Sequence, residues 1–124
     1  MAGKIIDHKD LRVWQDAMLL VKEVYRLTSR LPANERMILI PQLCRAAISV
    51  PANIAEGHGS SHRAVYLNHL SIARGSLLEL DTYLILLPEL GLVDQATIKP
   101  GIERQGSVLR QLHALIRSLK SAKL

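Results

Sequence analysis

Residues 42–57 read QLCRAAISVPANIAEG, and this stretch decides the fold of the chain. Its apolar residues are mostly small, which favours a helix packed closely against a neighbour, because the side chains at a contact set the distance between helix axes. Asn53 and Glu56 fall on the apolar side of that helix. Burying a polar group without a partner costs on the order of 2–7 kcal/mol. The stretch therefore predicts a close helix pair joined by polar contacts.

Pro51 is the main irregularity of this segment. A proline in a helix interior removes one backbone hydrogen bond, so we expect either a kink within one helix or a new helix that begins at Pro51. We favour the kink because the apolar spacing continues unshifted through the proline. Pro100 and Gly101 weaken the start of the last predicted helix in a similar way.

Apolar residues recur at steps of three and four along four segments, which is the pattern of helices packed in a bundle. The predicted helices span residues 10–31, 41–57, 61–90 and 97–120. Asp10 is placed to cap the first helix, and Pro32 prevents its continuation. Gly91 stops the third helix. Since the connections are short, neighbouring helices should be antiparallel, and we predict an all-α, up-down-up-down four-helix bundle forming one domain over residues 1–124.

Composition and hydropathy argue against a secreted, a disulfide-linked or a membrane-spanning protein. The chain has 124 residues, of which 48% are apolar, with no Phe and one cysteine, Cys44. A lone cysteine cannot form an internal disulfide, which fits a reducing compartment. The first ten residues lack the apolar run of a secretion signal, and the most apolar stretch, residues 77–93, contains acids and a proline, unlike a membrane span. We therefore expect a cytoplasmic protein with no membrane contact.

The third predicted helix carries more apolar surface than one bundle can bury. Beside its inward seam it has five further apolar or aromatic residues, Leu78, Tyr83, Ile85, Leu86 and Leu90. A helix that is apolar nearly all round is normally buried on several sides, so this pattern favours self-association. The alternative is scattered surface leucines, which are common on monomers.

Asn53 and Glu56 allow two interpretations, a functional site or polar links that fix the register of packed helices, and we favour the links. Glu56 is expected to pair with an arginine, because a buried carboxylate needs a charged partner. The candidates are Arg45, about three turns earlier on the same helix, and Arg74 on the next helix.

Histidines follow this segment at positions 58, 62 and 69. Their spacing of four and seven residues could direct them to one metal, but no cysteine or acid stands at ligand spacing opposite them, so we predict no metal site. The hinge GHGSSHR lacks the lysine of a phosphate-binding loop, and we expect Ser60 and Ser61 to cap the third helix instead. No nucleophile–base pair is present, so we predict neither an enzyme nor a cofactor.

The whole net charge of +5 lies in residues 99–124, which hold six Lys or Arg and one acid. Arg110, His113, Arg117 and Lys120 recur at steps of three, four and three, so they share one helix face. Such a face can follow a phosphate backbone, and the alternative is a solvated surface near a helix C-terminus, where the helix dipole favours cations. Together with Arg104, the three strong bases of this face are the predicted RNA- or DNA-binding residues. The scarcity of aromatic residues favours backbone contact with little sequence selectivity.

A wider pattern indicates the family. Its residues are Leu11, Val13, Trp14, Gln15, Arg45, Ala46, Ala47, Pro51, Asn53, Ile54, Ala55, Glu56, Gly57, Ile72, Ala73, Gly75, Ser76, Leu77, Glu79 and Leu80. In these residues the chain resembles the four-helix-bundle proteins encoded in intervening sequences of bacterial 23S rRNA genes, which are similar to the accessory variability protein of diversity-generating retroelements. It departs from the usual pattern at Cys44, in place of an arginine, and at His69, in place of an aromatic residue.

The resemblance implies a ring-shaped homopentamer with a central opening, and the retroelement relatives suggest a reverse transcriptase as a partner. We expect a structural role for six residues of the pattern and for the neighbouring Arg74; the six are Trp14, Arg45, Pro51, Asn53, Glu56 and Gly57. We predict a non-enzymatic homo-oligomer that binds nucleic acid through its basic surfaces. The alternative is a protein-binding scaffold or accessory subunit with no nucleic-acid role.

Overall fold

The computed structural model describes residues 4–121, most of which form four long helices. The helices are α1 (Arg12–Thr28), α2 (Leu39–His58), α3 (Arg63–Glu89) and α4 (Gln95–Ser121), with 3₁₀ turns at His8–Asp10 and Ala33–Glu35. Consecutive helices pack against each other, and α4 returns to contact α1. No strand occurs between residues 4 and 121. The predicted all-α, antiparallel four-helix bundle is confirmed.

Aliphatic side chains from all four helices form one core. The largest side chains that are fully buried are Leu20, Leu43, Ile54, Leu70, Leu77, Leu80, Leu84, Leu87, Leu112, Val24, Val50 and Val108. Gln105 is a buried polar residue of this layer, and its side-chain amide donates to the Leu77 carbonyl of α3 at 3.1 Å. That bond satisfies a group whose burial would otherwise be unfavourable.

The α2 helix runs without interruption through Pro51, and the proline ring is buried. A new helix beginning at Pro51 is therefore not what the chain forms. The single helix in which we expected a kink is present, and the residues on either side of the proline keep their inward positions, with Val50 and Ile54 fully buried. The kink itself stays a prediction.

The helix ends differ from the predicted ones by one to three residues, most at the end of α1, which stops at Thr28 and not at residue 31. Asp10 does not cap α1; its carboxylate accepts from the Ile6 and Asp7 amides and closes the preceding 3₁₀ turn instead. The α4 helix begins at Gln95, two residues earlier than predicted. Its cap is Asp94, whose carboxylate accepts from the Thr97 amide at 2.9 Å and the Thr97 hydroxyl at 2.6 Å.

Glycine ends α3 as predicted. Gly91 has a φ of 72°, in the left-handed region that glycine occupies without steric strain. The Leu92 amide donates back to the Leu87 carbonyl at 3.0 Å, which satisfies one of the free carbonyls at the helix end. The chain can then turn directly into α4.

Length and hydropathy decide whether a helix can cross a membrane. Between residues 4 and 121, no helix combines the length and the hydropathy that crossing a bilayer requires.

Candidate nucleic-acid interface

A chain of polar contacts joins α2 to α3. The Ser76 hydroxyl donates to the Ser49 hydroxyl at 2.8 Å, and the Asn53 amide donates to the Ser49 carbonyl at 2.8 Å. Asn53 Oδ1 lies 3.0 Å from His69 Nδ1, and a Glu56 carboxylate oxygen lies 3.5 Å from the same nitrogen. We call these five residues the α2–α3 network. Asn53 makes part-buried hydrogen bonds to both helices, as a polar link does, whereas Glu56 lies at the exposed edge of the network.

The predicted pairing of Glu56 with Arg45 or Arg74 is wrong. Glu56 is largely exposed and pairs with His69, and Arg45 bonds to Gln42 within its own helix. Arg74 cannot reach Glu56 because it lies about 140–160° round α3 from the two residues that contact α2, His69 and Ser76. Helical spacing placed Glu56 and Arg74 on neighbouring helices but did not give the rotation of one helix relative to the other.

Gly57 marks the closest approach of α2 and α3. A Cβ atom at this position would lie 2.8 Å from Tyr66 Cδ1, 2.9 Å from His69 Cβ and 3.2 Å from the Tyr66 carbonyl oxygen. These separations are too short for a side chain to fit without displacing its neighbours. The His58 ring packs edge-on to the Tyr66 ring on the same side.

The three histidines of this region serve different contacts. His58 packs on Tyr66, His69 belongs to the α2–α3 network, and the backbone amide of His62 donates to the Ser60 hydroxyl at 3.1 Å. The Ser60 hydroxyl thus accepts from the residue that precedes α3. Within the described residues no side chain caps the backbone amides of the first turn of α3, so the predicted serine cap is wrong. No three His, Cys, Asp or Glu side chains in the described part of the chain are grouped to hold a metal ion.

Basic side chains form an exposed row on α4. Arg110, Arg117 and Lys120 are exposed, and His113 between them is half-buried. We call these four residues the α4 basic strip. Gly106 has no side chain, and a Cβ at this position would lie 3.4 Å from the Arg110 guanidinium. The glycine therefore leaves space for the Arg110 side chain to lie along the helix. Lys123, counted in the C-terminal charge, lies outside the described residues.

Arg104 is not part of this strip. It lies about 120–160° round α4 from the three exposed bases and borders a groove that is shared with Glu23 of α1. Gln111, on the same flank, donates to Asp16 of α1 at 2.6 Å, which shows that this flank faces α1. The structure therefore separates Arg104 from Arg110, Arg117 and Lys120, which the sequence had grouped together.

The surplus apolar residues of α3 lie at the surface. Leu78 is 51% exposed, Ile85 48% and Leu90 58%, and Ile72 is exposed as well. Tyr83 differs, because it is half-buried and its hydroxyl donates to Glu79 at 2.8 Å, a bond that raises the pKa of the tyrosine. The predicted extra apolar side of α3 is thus uncovered in a single chain.

Residues from every helix fall within one family match. A model of the 23S rRNA-intervening sequence protein family matches residues 9–114. The chain belongs to this family. The matched range of this 23S rRNA-intervening sequence protein includes the whole α2–α3 network and Trp14, whose ring packs edge-on against His8 at 5.1 Å. It also includes Arg110 and ends before Arg117 and Lys120.

Among solved structures, the chain is similar to a Bacteroides thetaiotaomicron protein of unknown function from the S23 ribosomal protein family. The TM-score is 0.77 at 21% sequence identity, and the similarity covers 85% of this chain and 98% of that chain. At this identity the likeness establishes the fold alone. A search of curated proteins finds no match. The family description indicates no catalytic class.

Proposed function

We propose that this 23S rRNA-intervening sequence protein is a non-enzymatic homo-oligomer that binds nucleic acid through the α4 basic strip. The observation that carries the proposal is the strip itself, which places Arg110, Arg117 and Lys120 together at the surface. No Asp or Glu follows Glu103 in the sequence, so the C-terminal half of α4 presents positive charge only.

The strip has the properties of a phosphate-binding surface. Arg110, Arg117 and Lys120 form no ion pair with a carboxylate between residues 4 and 121, so their charges are free to meet a ligand. Arg110 and Arg117 are two helical turns apart, roughly 10 Å along the axis. Phosphate contacts release condensed counterions, which makes binding favourable at low salt and weak at high salt.

Sequence-selective recognition of single strands is not favoured by this surface. Such recognition stacks bases on aromatic side chains, and the strip contains one ring, His113. Trp14 packs on His8, Tyr66 packs on His58, and Tyr83 bonds to Glu79. We therefore expect contacts to the sugar–phosphate backbone and little preference for base sequence.

Self-association would strengthen each of these contacts. The uncovered apolar residues of α3, among them Leu78 and Ile85, support an interface between copies of the chain. A pentameric ring is the assembly that the family resemblance implies. Several strips in one assembly can engage one nucleic acid together, so weak contacts add through effective concentration. The same apolar surface supports the alternative function, a scaffold that binds protein only.

The test is a binding titration with RNA and DNA duplexes at low salt. The strip variant carries Arg110→Gln, Arg117→Gln and Lys120→Gln. The control carries Lys22→Gln, Arg26→Gln and Arg36→Gln, which removes the same charges from exposed positions elsewhere. We expect the wild type and the control to bind and the strip variant to lose most of its affinity. If the wild type does not bind at low salt, nucleic-acid binding is wrong and the scaffold function is left.

A further inference from the structure

Arg74 lies on the flank of α3 that faces α4. Arg63, at the start of α3, donates to the Leu119 carbonyl of α4 at 3.4 Å, which fixes the direction of that flank. Arg74 follows eleven residues later, close to three full turns, and so lies on the same side of the helix. The α3 residues that contact α2, His69 and Ser76, lie on the other flank.

The antiparallel pairing of α3 and α4 puts Arg74 level with the α4 basic strip. Leu77 lies opposite Gln105, and Arg63 lies opposite Leu119. Arg74 is three residues before Leu77, so it lies opposite the turn of α4 that contains Arg110.

The strip lies on the side of α4 away from α1, because Gln111, about 100–180° round the helix from its members, faces α1. Lys120 and His113 lie toward α3, and Arg110 and Arg117 lie on the outer surface of α4, since they are about 120–140° from Gln105, which contacts α3.

These two helix segments, of α3 and α4, carry no Asp or Glu side chain. The sequence has no Asp or Glu between Glu56 and Glu79, and none after Glu103. Arg74 is half-buried and forms no ion pair with any residue from 4 to 121. An arginine so placed covers the protein with its apolar stem, and its charge is open to a ligand such as a phosphate.

We propose that Arg74 joins Arg110, Arg117 and Lys120 in a two-helix basic surface, and that the ligand of this surface is a nucleic-acid duplex. This inference rests on the proposed function and adds a residue and a ligand class to it. Arg74 and the strip stand on neighbouring packed helices, whose axes are typically about 8–10 Å apart, and their long side chains can reach phosphates on both strands of a duplex. A single strand offers one row of phosphates and binds best where its bases can stack.

The experiment compares Arg74 variants with a matched control. Arg74→Gln and Arg74→Met remove the charge, and the Met side chain keeps the apolar stem. Arg74→Lys keeps the charge. The control, Arg36→Gln, removes a charge from an exposed site at the other end of the bundle. Each protein is titrated with a duplex of mixed sequence and with its separate strands, at about 50 and 200 mM salt. Thermal melts show that each variant is folded.

We expect both neutral Arg74 variants to bind the duplex more weakly than the wild type. The loss of duplex affinity between the two salt concentrations should be smaller in them by a factor of about 3.5 for each engaged subunit, the share of one phosphate contact. Arg74→Lys and Arg36→Gln should behave as the wild type does, and the duplex should bind more tightly than either strand.

The possible failures are distinguishable. If the strip variant loses binding but both neutral Arg74 variants keep wild-type affinity and salt dependence, the role of Arg74 is wrong and the proposed function stands. If either single strand binds as tightly as the duplex, the ligand class is wrong. If the wild type binds none of these probes, the proposed function and this inference both fail.

Discussion

Gly57 sets the distance between α2 and α3 by having no side chain. Its Cα faces the backbone and ring of Tyr66 and the Cβ of His69, so the two helices meet where the α2–α3 network also crosses between them. The close approach and the network depend on each other, because the hydrogen bond between Asn53 and His69 needs the short helix separation. The QLCRAAISVPANIAEG segment is thus a structural device for joining two helices.

Replacing Gly57 by Ala should destabilise the protein. The added Cβ would lie 2.8 Å from Tyr66 Cδ1 and 2.9 Å from His69 Cβ, and such overpacking costs about 1–3 kcal/mol. The measurement is the urea midpoint of unfolding. Gly75→Ala is the control, since it lies in α3 with open space around the new methyl group, and should raise stability by about 0.5–1 kcal/mol. A Gly57→Ala protein as stable as the wild type would contradict the close-packing account.

For single residues, the sequence analysis found the residues that join α2 to α3 but gave Glu56 the wrong partner. Small side chains beside Asn53, Glu56 and Gly57 were enough to predict a close, polar helix contact. The partner of Glu56 could not be predicted, because a period of 3.6 residues gives the face of each helix and not the angle between faces of different helices. His69, a departure from the family pattern, takes the position that we had given to an arginine.

The Asp94 cap explains why α4 begins at Gln95, although Pro100 and Gly101, which disfavour helices, follow in its second turn. Asp94 accepts from the amide and the hydroxyl of Thr97, so the first turn is fixed ahead of Pro100 and Gly101. Gly101 is buried against Leu84, which adds packing where its propensity is unfavourable. The Asp94 cap and the packing of Gly101 together outweigh the low helix propensity of Pro100 and Gly101. The cap could have been recognised in the sequence, but the packing contact could not.

The cap gives α4 a dependence on pH. The hydrogen bonds from Thr97, and more weakly the charge of Arg30, hold the pKa of Asp94 below its ordinary value of 3.8. A carboxyl whose pKa is lower in the folded protein stabilises it above the ordinary pKa and loses this effect as the pH falls through the folded value. Asn at position 94 can still accept a hydrogen bond but does not titrate.

Asp94→Asn should therefore be less stable than the wild type near neutral pH. The difference should shrink as the pH falls below about 3.8, because protonated Asp94 resembles Asn. Urea unfolding of both proteins between about pH 7 and pH 2.5 measures it. A stability difference that stays constant over this range would show that the charge of Asp94 does not stabilise α4.

At the scale of the molecule, two surfaces of the described residues are proposed to meet partners, the apolar side of α3 and the two-helix basic surface. The sequence predicted the first from an excess of leucine and isoleucine, and half of the second from the spacing of the α4 bases. It could not predict that Arg104 lies apart or that Arg74 lies beside the strip, since both follow from which flank of each helix meets which neighbour.

Self-association can be tested through two exposed residues on one stripe of α3. Leu78→Gln with Ile85→Gln should lower the mass measured by light scattering, because these side chains are half-exposed in a single chain and need a second copy to cover them. Met18→Gln with Leu19→Gln makes a similar change on α1 and should leave the mass unchanged. A wild-type protein that is monomeric at all concentrations would contradict the proposed homo-oligomer.

Phosphate binding by the α4 basic strip is tested most directly by the salt dependence of duplex binding. For the wild type, the logarithm of the association constant should fall linearly with the logarithm of salt concentration. In the strip variant, without the charges of Arg110, Arg117 and Lys120, the slope should be smaller by about 2.7 for each engaged subunit, or binding should be absent. Equal slopes and equal affinities for the two proteins would contradict the account.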